Sequence, residues 1–236
     1  MIGLSISVDI SNTERYLDKV QKQIPFAIAK SLTKTAQDIK KDERIEMTRV
    51  FDRPTRYTLN SLYVLPARKS KLVAVVKIKD EAIKGNAAVK YLKEQMEGGG
   101  RSYKGFEKLL ISRGQMPSGM YAVPSRTMKL NKFGNVTNGM IQKILSGLGA
   151  QRDIYQRSRS GSKTHGKYFS GIVSGTHGIW DVNKLRKGLP ALLFLFVKRP
   201  TYNRRFKFHA VAERTAKRMF TARFNHEMKR ALATAR

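Results

Sequence analysis

Apolar and polar positions change period several times along the chain, and each change marks an element. Leu4, Ile6, Val8 and Ile10 alternate with small or polar residues, which is the period of a strand. Ser11 or Asn12 then stands where a helix cap is wanted, with Glu14 in the first turn behind it. Leu17, Val20, Ile24, Ile28, Leu32 and Ile39 recur at helical spacing and draw an apolar stripe along a long helix from about Thr13 to Val50. Pro25 lies inside it, so the pattern predicts a kink or two helices in series. A short helical turn starts near Pro54. Ser61 to Leu65 and Leu72 to Lys79 then read as two strands joined by the turn Pro66 to Lys71.

Ala87 to Met96 has the pattern of a short helix ended by Gly98, Gly99 and Gly100, and Phe106 to Ile111 that of another. Tyr121 to Val123 is an extended piece before Pro124. Thr137 to Leu148 reads as a helix, with Gly149 beyond its end. Ala150 to Gly166 is almost free of apolar residues, which predicts an extended or disordered loop. Lys167 to Val173, Gly178 to Val182 and the unbroken apolar run Ala191 to Val197 predict three strands. From Phe206 the chain is helical to its end. Ala216, Phe220, Phe224 and Ala231 lie on one side of that helix, with Arg214, Arg218, Lys229 and Arg230 turned away. No segment repeats and no linker stands out. The whole predicts a single α+β domain over residues 1–236. It is a mostly antiparallel sheet flanked by long N-terminal and C-terminal helices, with an inserted small-helix region at about 83–148 and a basic loop at about 150–166.

Charge changes this picture most. The chain has 236 residues, with 47 Lys and Arg against 17 Asp and Glu, a formal net charge of +30. Its 41 % hydrophobic content is too high for a disordered basic tail. The excess is uneven. Residues 1–50 hold nine basic and seven acidic side chains, whereas Lys108 to Ala212 hold 19 basic residues and only two acids, Asp153 and Asp181. Such a balance points to a polyanion or an acidic protein surface as partner. No apolar run approaches the roughly 18–20 residues of a membrane span, and the first ten residues lack the features of a secretory signal. The expectation is a soluble chain made in a cytoplasm, with no membrane partner.

Candidate chemistry is sparse. The absence of cysteine excludes disulfides and thiolate metal sites. His165, His177, His209 and His226 show no metal-ligand spacing; His226 beside Glu227 is about 100° away from it around a helix. Gly171-Ile172-Val173-Ser174-Gly175 does not make the GxSxG elbow. Gly98 to Gly100 before Arg101 and Lys104 offers a phosphate cradle or, in the plainer reading, a helix end and turn. Paired-carboxylate catalysis and a metal-dependent nuclease both lack acids in 108–212. The expectation is no enzyme, no cofactor and no small-molecule substrate.

Basic and aromatic residues interleave twice. Tyr155, Arg157, Arg159, Lys163 and Tyr168 surround the polar loop, and Lys198, Arg199, Tyr202, Arg204, Arg205, Phe206 and Lys207 follow the last strand. With Arg152 and Lys167 added, the candidates for contact with DNA or an acidic partner are Arg152, Arg157, Arg159, Lys163, Lys167, Lys198, Arg199, Arg204, Arg205 and Lys207. No zinc finger, helix-turn-helix or RNP sequence is present, so phosphate-backbone contact is expected rather than base reading. A solvated turn at 198–207 and a disordered insert at 150–166 remain the plain alternatives. Phe220, Phe224 and Met228 are candidate subunit contacts, with core packing as the other use of that face.

Several segments carry a family likeness. Tyr91 to Arg101 (YLKEQMEGGGR), Lys104 to Glu107, Met120 to Pro124 and Lys129-Leu130 with Phe133 to Asn135 resemble stretches of the tailed-bacteriophage and prophage minor tail protein Z type. So do Gly139 to Ile141, Ile144 to Ser146, Gly178 to Trp180 and Pro200 to Tyr202 before a basic C-terminal helix. The likeness spans roughly residues 15–235 and departs at Asn131 and Phe133, which touches turn chemistry. These are scaffold motifs, and no role carries over to the 150–166 loop. The resemblance implies a structural virion protein of the neck or upper tail that completes the tail. It would assemble as a homo-oligomeric ring around packaged DNA, beside head–tail connector or tail proteins. The alternative is a non-sequence-specific DNA- or RNA-binding protein acting outside the virion.

Overall fold

The computed structural model describes residues 11–82, 86–156, 158–186 and 188–234. The strand expected at Leu4 to Ile10 and the side chains of the Ser11/Asn12 cap lie outside the described residues. In chain order the elements are α1 (Ser11–Val50), α2 (Arg56–Leu59), β1 (Leu62–Leu65), β2 (Val75–Ile78), α3 (Ala88–Glu97), β3 (Gly99–Gly100) and α4 (Gly105–Ser112). They continue with β4 (Tyr121–Pro124), α5 (Asn138–Gly147), β5 (Tyr168–Val173), β6 (Thr176–Arg186), β7 (Leu189–Val197), β8 (Thr201–Tyr202) and α6 (Phe208–Ala233). This is the α+β order that the pattern predicts, with antiparallel sheets and a long helix at each end of the sequence. The chain divides into two compact units, Met1–Leu92 with Phe206–Arg236, and Lys93–Arg205. The first boundary falls within the sequence of α3, so no linker composition marks it.

In the first unit α1 packs along α6. Lys34 meets Glu227, Asp38 meets Arg223 at 2.8 Å and Asp42 meets Arg218 at 2.7 Å. Partner numbers fall as α1 numbers rise, so the helices run antiparallel. The apolar stripe expected on α1 is covered only in part, with Val20, Ile28, Leu32 and Ile39 half-buried. Leu17 is 58 % exposed and Ile24 36 % exposed, while Ala27, Ser31, Thr35, Ala36, Glu43 and Met47 are buried. Small side chains let the helix backbones approach, and polar ones are then covered. The pairing also runs out: continued toward the end of α6, it reaches only to about residue 27 of α1, one helical turn being about 3.6 residues. Pro25 does not divide the helix, because α1 is continuous from Ser11 to Val50. The carbonyl that loses its partner belongs to Gln21, whose exposed position leaves it open to water.

α2 begins at the Thr55 cap, whose hydroxyl accepts the Thr58 N–H at 3.1 Å. β1 and β2 then pair antiparallel, from Leu62 opposite Ile78 to Leu65 opposite Val75. The Ala67 N–H donates to Thr33 Oγ1 on α1 at 3.0 Å. Phe206, fully buried, stands 5.7 Å from the Phe51 ring and 5.8 Å from Phe208. It is a core residue and not part of an exposed aromatic cluster.

The second unit is built on a four-stranded antiparallel sheet in the order β4-β7-β6-β5. Leu110 of α4 and Ile144 and Leu145 of α5 join Met116, Tyr168, Ile179, Phe194 and Phe196 in its core. Thr137 caps α5, accepting the Met140 N–H at 3.3 Å. A Cβ at Gly178 would lie 2.2 Å from the Phe194 carbonyl oxygen, so the β6–β7 crossing admits only glycine there. β6 runs past the expected end at Val182. Asp181 faces Ala191 and Leu185 faces Pro190, so Val182 to Lys184 form a bulge. The Asp181 carboxylate fixes it by accepting the Asn183 N–H at 3.1 Å.

Candidate functional site

The basic loop 150–166 is neither extended nor loose. It folds back on the end of α5, where Ser146 Oγ donates to the Gln156 carbonyl at 2.9 Å and the Ser158 N–H donates to the Ser146 carbonyl at 3.3 Å. Ser158 and Thr164 hydrogen bond through their hydroxyls. A Cβ at Gly147 would lie 2.7 Å from Tyr168 Cδ2 and 2.9 Å from the Thr164 carbonyl oxygen, so loop and strand both press against that glycine. Arg113 completes the anchor, its guanidinium donating to the carbonyls of Gln151 at 3.3 Å and Arg152 at 3.2 Å. Its role was not signalled in the sequence, because the acceptors are backbone atoms about forty positions away.

This anchoring leaves the loop's cations outward. Arg152, Arg159 and Lys163 are exposed and have no carboxylate partner among the described residues. Arg157 lies outside the described residues. Tyr155, 86 % exposed, stands on the same loop, and the Asp153 carboxylate accepts its N–H at 2.9 Å. The exposed cations and the exposed ring thus share one loop. Tyr168, by contrast, is buried, and burial pushes its phenol pKa up. Lys167 is half-buried, with its ammonium 3.9 Å from Asp181 and 5.6 Å from the Tyr168 ring. Its charge is therefore shared with a carboxylate.

The second cluster is mostly engaged. Arg199 donates to the Gly100 carbonyl at 3.0 Å, Arg204 to the Met96 carbonyl at 2.9 Å, and Arg205 to the Gln95 side chain at 2.9 and 3.1 Å. These arginines close over the C-terminal end of α3 and the β3–β8 pair, where Gly99 faces Tyr202. Cations there complement the unsatisfied carbonyls and the negative end of the helix dipole. The turn reading of 198–207 thus describes Arg199, Arg204 and Arg205, while Lys198 is exposed and unpaired among the described residues. Lys207, in the other unit, is exposed at the N-cap of α6.

The glycine-rich segment is likewise structural. Gly98, at φ 79, ends α3, and Arg101 is only 6 % exposed. Its guanidinium grips Glu107 at 2.5 and 2.6 Å, and Glu107 also accepts the N–H groups of Lys104 at 2.6 Å and Ala122 at 2.9 Å. Hydrogen bonding and charge attraction from Glu107 raise the Arg101 pKa against the effect of burial. A phosphate cradle would need an Arg101 not already held.

In the first unit, Glu43 is fully buried and neither carboxylate oxygen has a partner among the described residues. Burial, with the charges of Glu46 and Asp42 beside it, pushes its pKa up to about 8. Glu227 goes the other way, held low chiefly by the hydrogen bond from Lys34. Phe220 and Phe224 are half-buried and stacked at 6.3 Å on α6, and Met228 is half-buried one turn on. Among the described residues no three His, Asp or Glu side chains are grouped to hold a metal ion, and no helix is long and apolar enough to cross a membrane. No family model, curated protein or solved structure matches this chain.

Proposed function

We propose that the chain is a structural protein of a tailed-phage virion, placed at the head–tail neck or upper tail. It assembles as a ring around the DNA passage and completes or joins the tail beside connector or tail proteins. The supporting observation is the anchored loop 150–166, which presents Arg152, Arg159 and Lys163 without carboxylate partners from a stretch that has only two acids in 108–212. Phosphate-backbone contact needs cations free of carboxylate partners and no base-reading element. The scaffold motifs supply the virion setting, and Phe220, Phe224 and Met228 are the proposed subunit contacts. The chain has no enzymatic step in this reading. Electron microscopy of tailed particles encoded with this chain tests it: density for the chain at the neck or upper tail is the expected result, and particles that lack the chain contradict it.

A second reading is favoured by Tyr155. A ring 86 % exposed on the same loop as unpaired cations suits single-stranded nucleic acid held by stacking, which a binding protein acting outside the virion would use. Salt-sensitive binding by the monomer, weakened by Tyr155→Ala more for single strands than for duplex, is its expected signature. Equal loss for both substrates counts against it.

A further inference from the structure

In the first unit an open groove of about 450 Å³ runs between α1, β2 and α6. Leu32, Ala36 and Ile39 form one wall, Ala212, Ala216 and Phe220 another, and Ala74, Val75 and Val76 the third. Side chains of successive strand residues point to opposite faces. Val75 and Val76 are successive residues of β2 and both line the groove, with Ala74 just ahead of the strand, which places the groove along the strand's edge and not across one face of its sheet. The sheet has two strands, β1 and β2, so no described strand pairs with β2 on its other side. Thr35 also lines the groove, and its buried hydroxyl has no hydrogen-bond partner among the described residues. An apolar trough beside an open strand edge is a template for one more strand.

We infer that the groove receives the N-terminal segment, residues 1–10, of a second copy of this chain. Leu4, Ile6, Val8 and Ile10 alternate with Ser5, Ser7 and Asp9, giving one apolar side for the trough and one polar side for solvent. These ten residues carry one acid and no Lys or Arg, so repulsion within a +30 chain does not oppose their docking. The reach of the chain decides which copy supplies them. From Ser11 to Leu32, α1 rises about 32 Å at 1.5 Å per residue. Ten residues in full extension span at most about 33–36 Å, so only the very tip would arrive. A copy's own segment would be used up in reaching its groove, whereas a neighbour's can lie in it. The same patch donating to a different patch on the next copy is a head-to-tail contact, and closure of that contact makes a ring. The inference rests on the ring reading and names the contact that builds it.

The chain has no cysteine, so introduced ones report cleanly. Chains bearing Val8→Cys are mixed with chains bearing Ala74→Cys and treated with a short bifunctional maleimide, alongside sedimentation of the unmodified full chain. A covalent dimer of the two kinds of chain is the expected result. Ile6→Asp with Val8→Asp should abolish both the dimer and the assembly while leaving the melting temperature of the chain unchanged. Assembly that persists with no cross-link, or with Asp at both positions, overturns the inference and leaves the ring reading standing. Cross-linking within single chains carrying both cysteines, at a dilution where no dimer forms, overturns it as well. A full chain that sediments only as a monomer defeats both.

Discussion

The two units differ in what their carboxylates do. In the first, Asp38, Asp42 and Glu227 each meet a cation or hydroxyl across the α1–α6 contact, including Thr215 on Asp42 at 2.7 Å. The ion pairs across that contact hold two helices in register. In the second, Asp153 accepts a loop N–H and Asp181 a bulge N–H, and the cations of the loop face outward unmatched. A net charge of +30 is thus a poor guide until one asks where the acids went. Cations with buried or half-buried partners serve the fold, and those left over are the ones available to a polyanion.

The largest expected effect in this contrast comes from Glu107, a buried acid of the second unit that acts as the first unit's acids do. Glu107→Ala strands a buried guanidinium and frees two N–H groups, so urea titration should show a loss of about 3–5 kcal/mol. A loss below about 1 kcal/mol would mean water reaches Arg101.

Next is Glu43. Its folded pKa is raised from 4.5 to about 8, so the folded chain holds a proton that the unfolded chain gives up. That stability is complete below about 4.5 and is lost as pH rises through about 8. Glu227, held low by Lys34, contributes stability above the ordinary carboxylate range that is lost as pH falls. Glu43→Gln should flatten the alkaline fall, raising stability at pH 9 by about 1–3 kcal/mol, the scale of an unsatisfied buried group. Denaturation profiles of the two proteins that stay parallel from pH 5 to 9 would contradict this.

On the basic side, replacing Arg152, Arg159 and Lys163 together by Ala should lower the salt slope of DNA binding by about 2–3, close to 0.9 for each phosphate no longer neutralised. The melting temperature should hold. The same replacement of Arg199, Arg204 and Arg205 should destabilise the second unit and change the slope less. The reverse ranking would move the interface to 198–207. Smallest is Arg223→Ala: the pair with Asp38 is partly screened by water, and about 0.2–1 kcal/mol is expected from thermal melts.

Sequence periodicity revealed the elements whose buried faces are large and apolar. Leu110, Ile144, Leu145, Phe194 and Phe196 recur at the helical or strand period and form the core of the second unit. The α1 face was hidden for the opposite reason, since Ala27, Ser31, Thr35 and Glu43 carry no clear hydrophobic signal and are buried by the elements that pack on α1. The bulge at Val182 to Lys184 and the anchoring of 150–166 depend on side-chain bonds to distant backbone, which no local pattern records. Of the candidate site, the loop cations were legible as charge. That Arg199, Arg204 and Arg205 are occupied by α3 and its flanking turn was not, because carbonyl acceptors leave no trace in composition.

Images of the purified full chain at low salt test the central claim most directly. Averaged electron-microscope views should show closed rings with an open centre, and added duplex DNA should thread or decorate that centre. Monomers or open filaments under the same conditions, with DNA bound along the outside, would contradict the account.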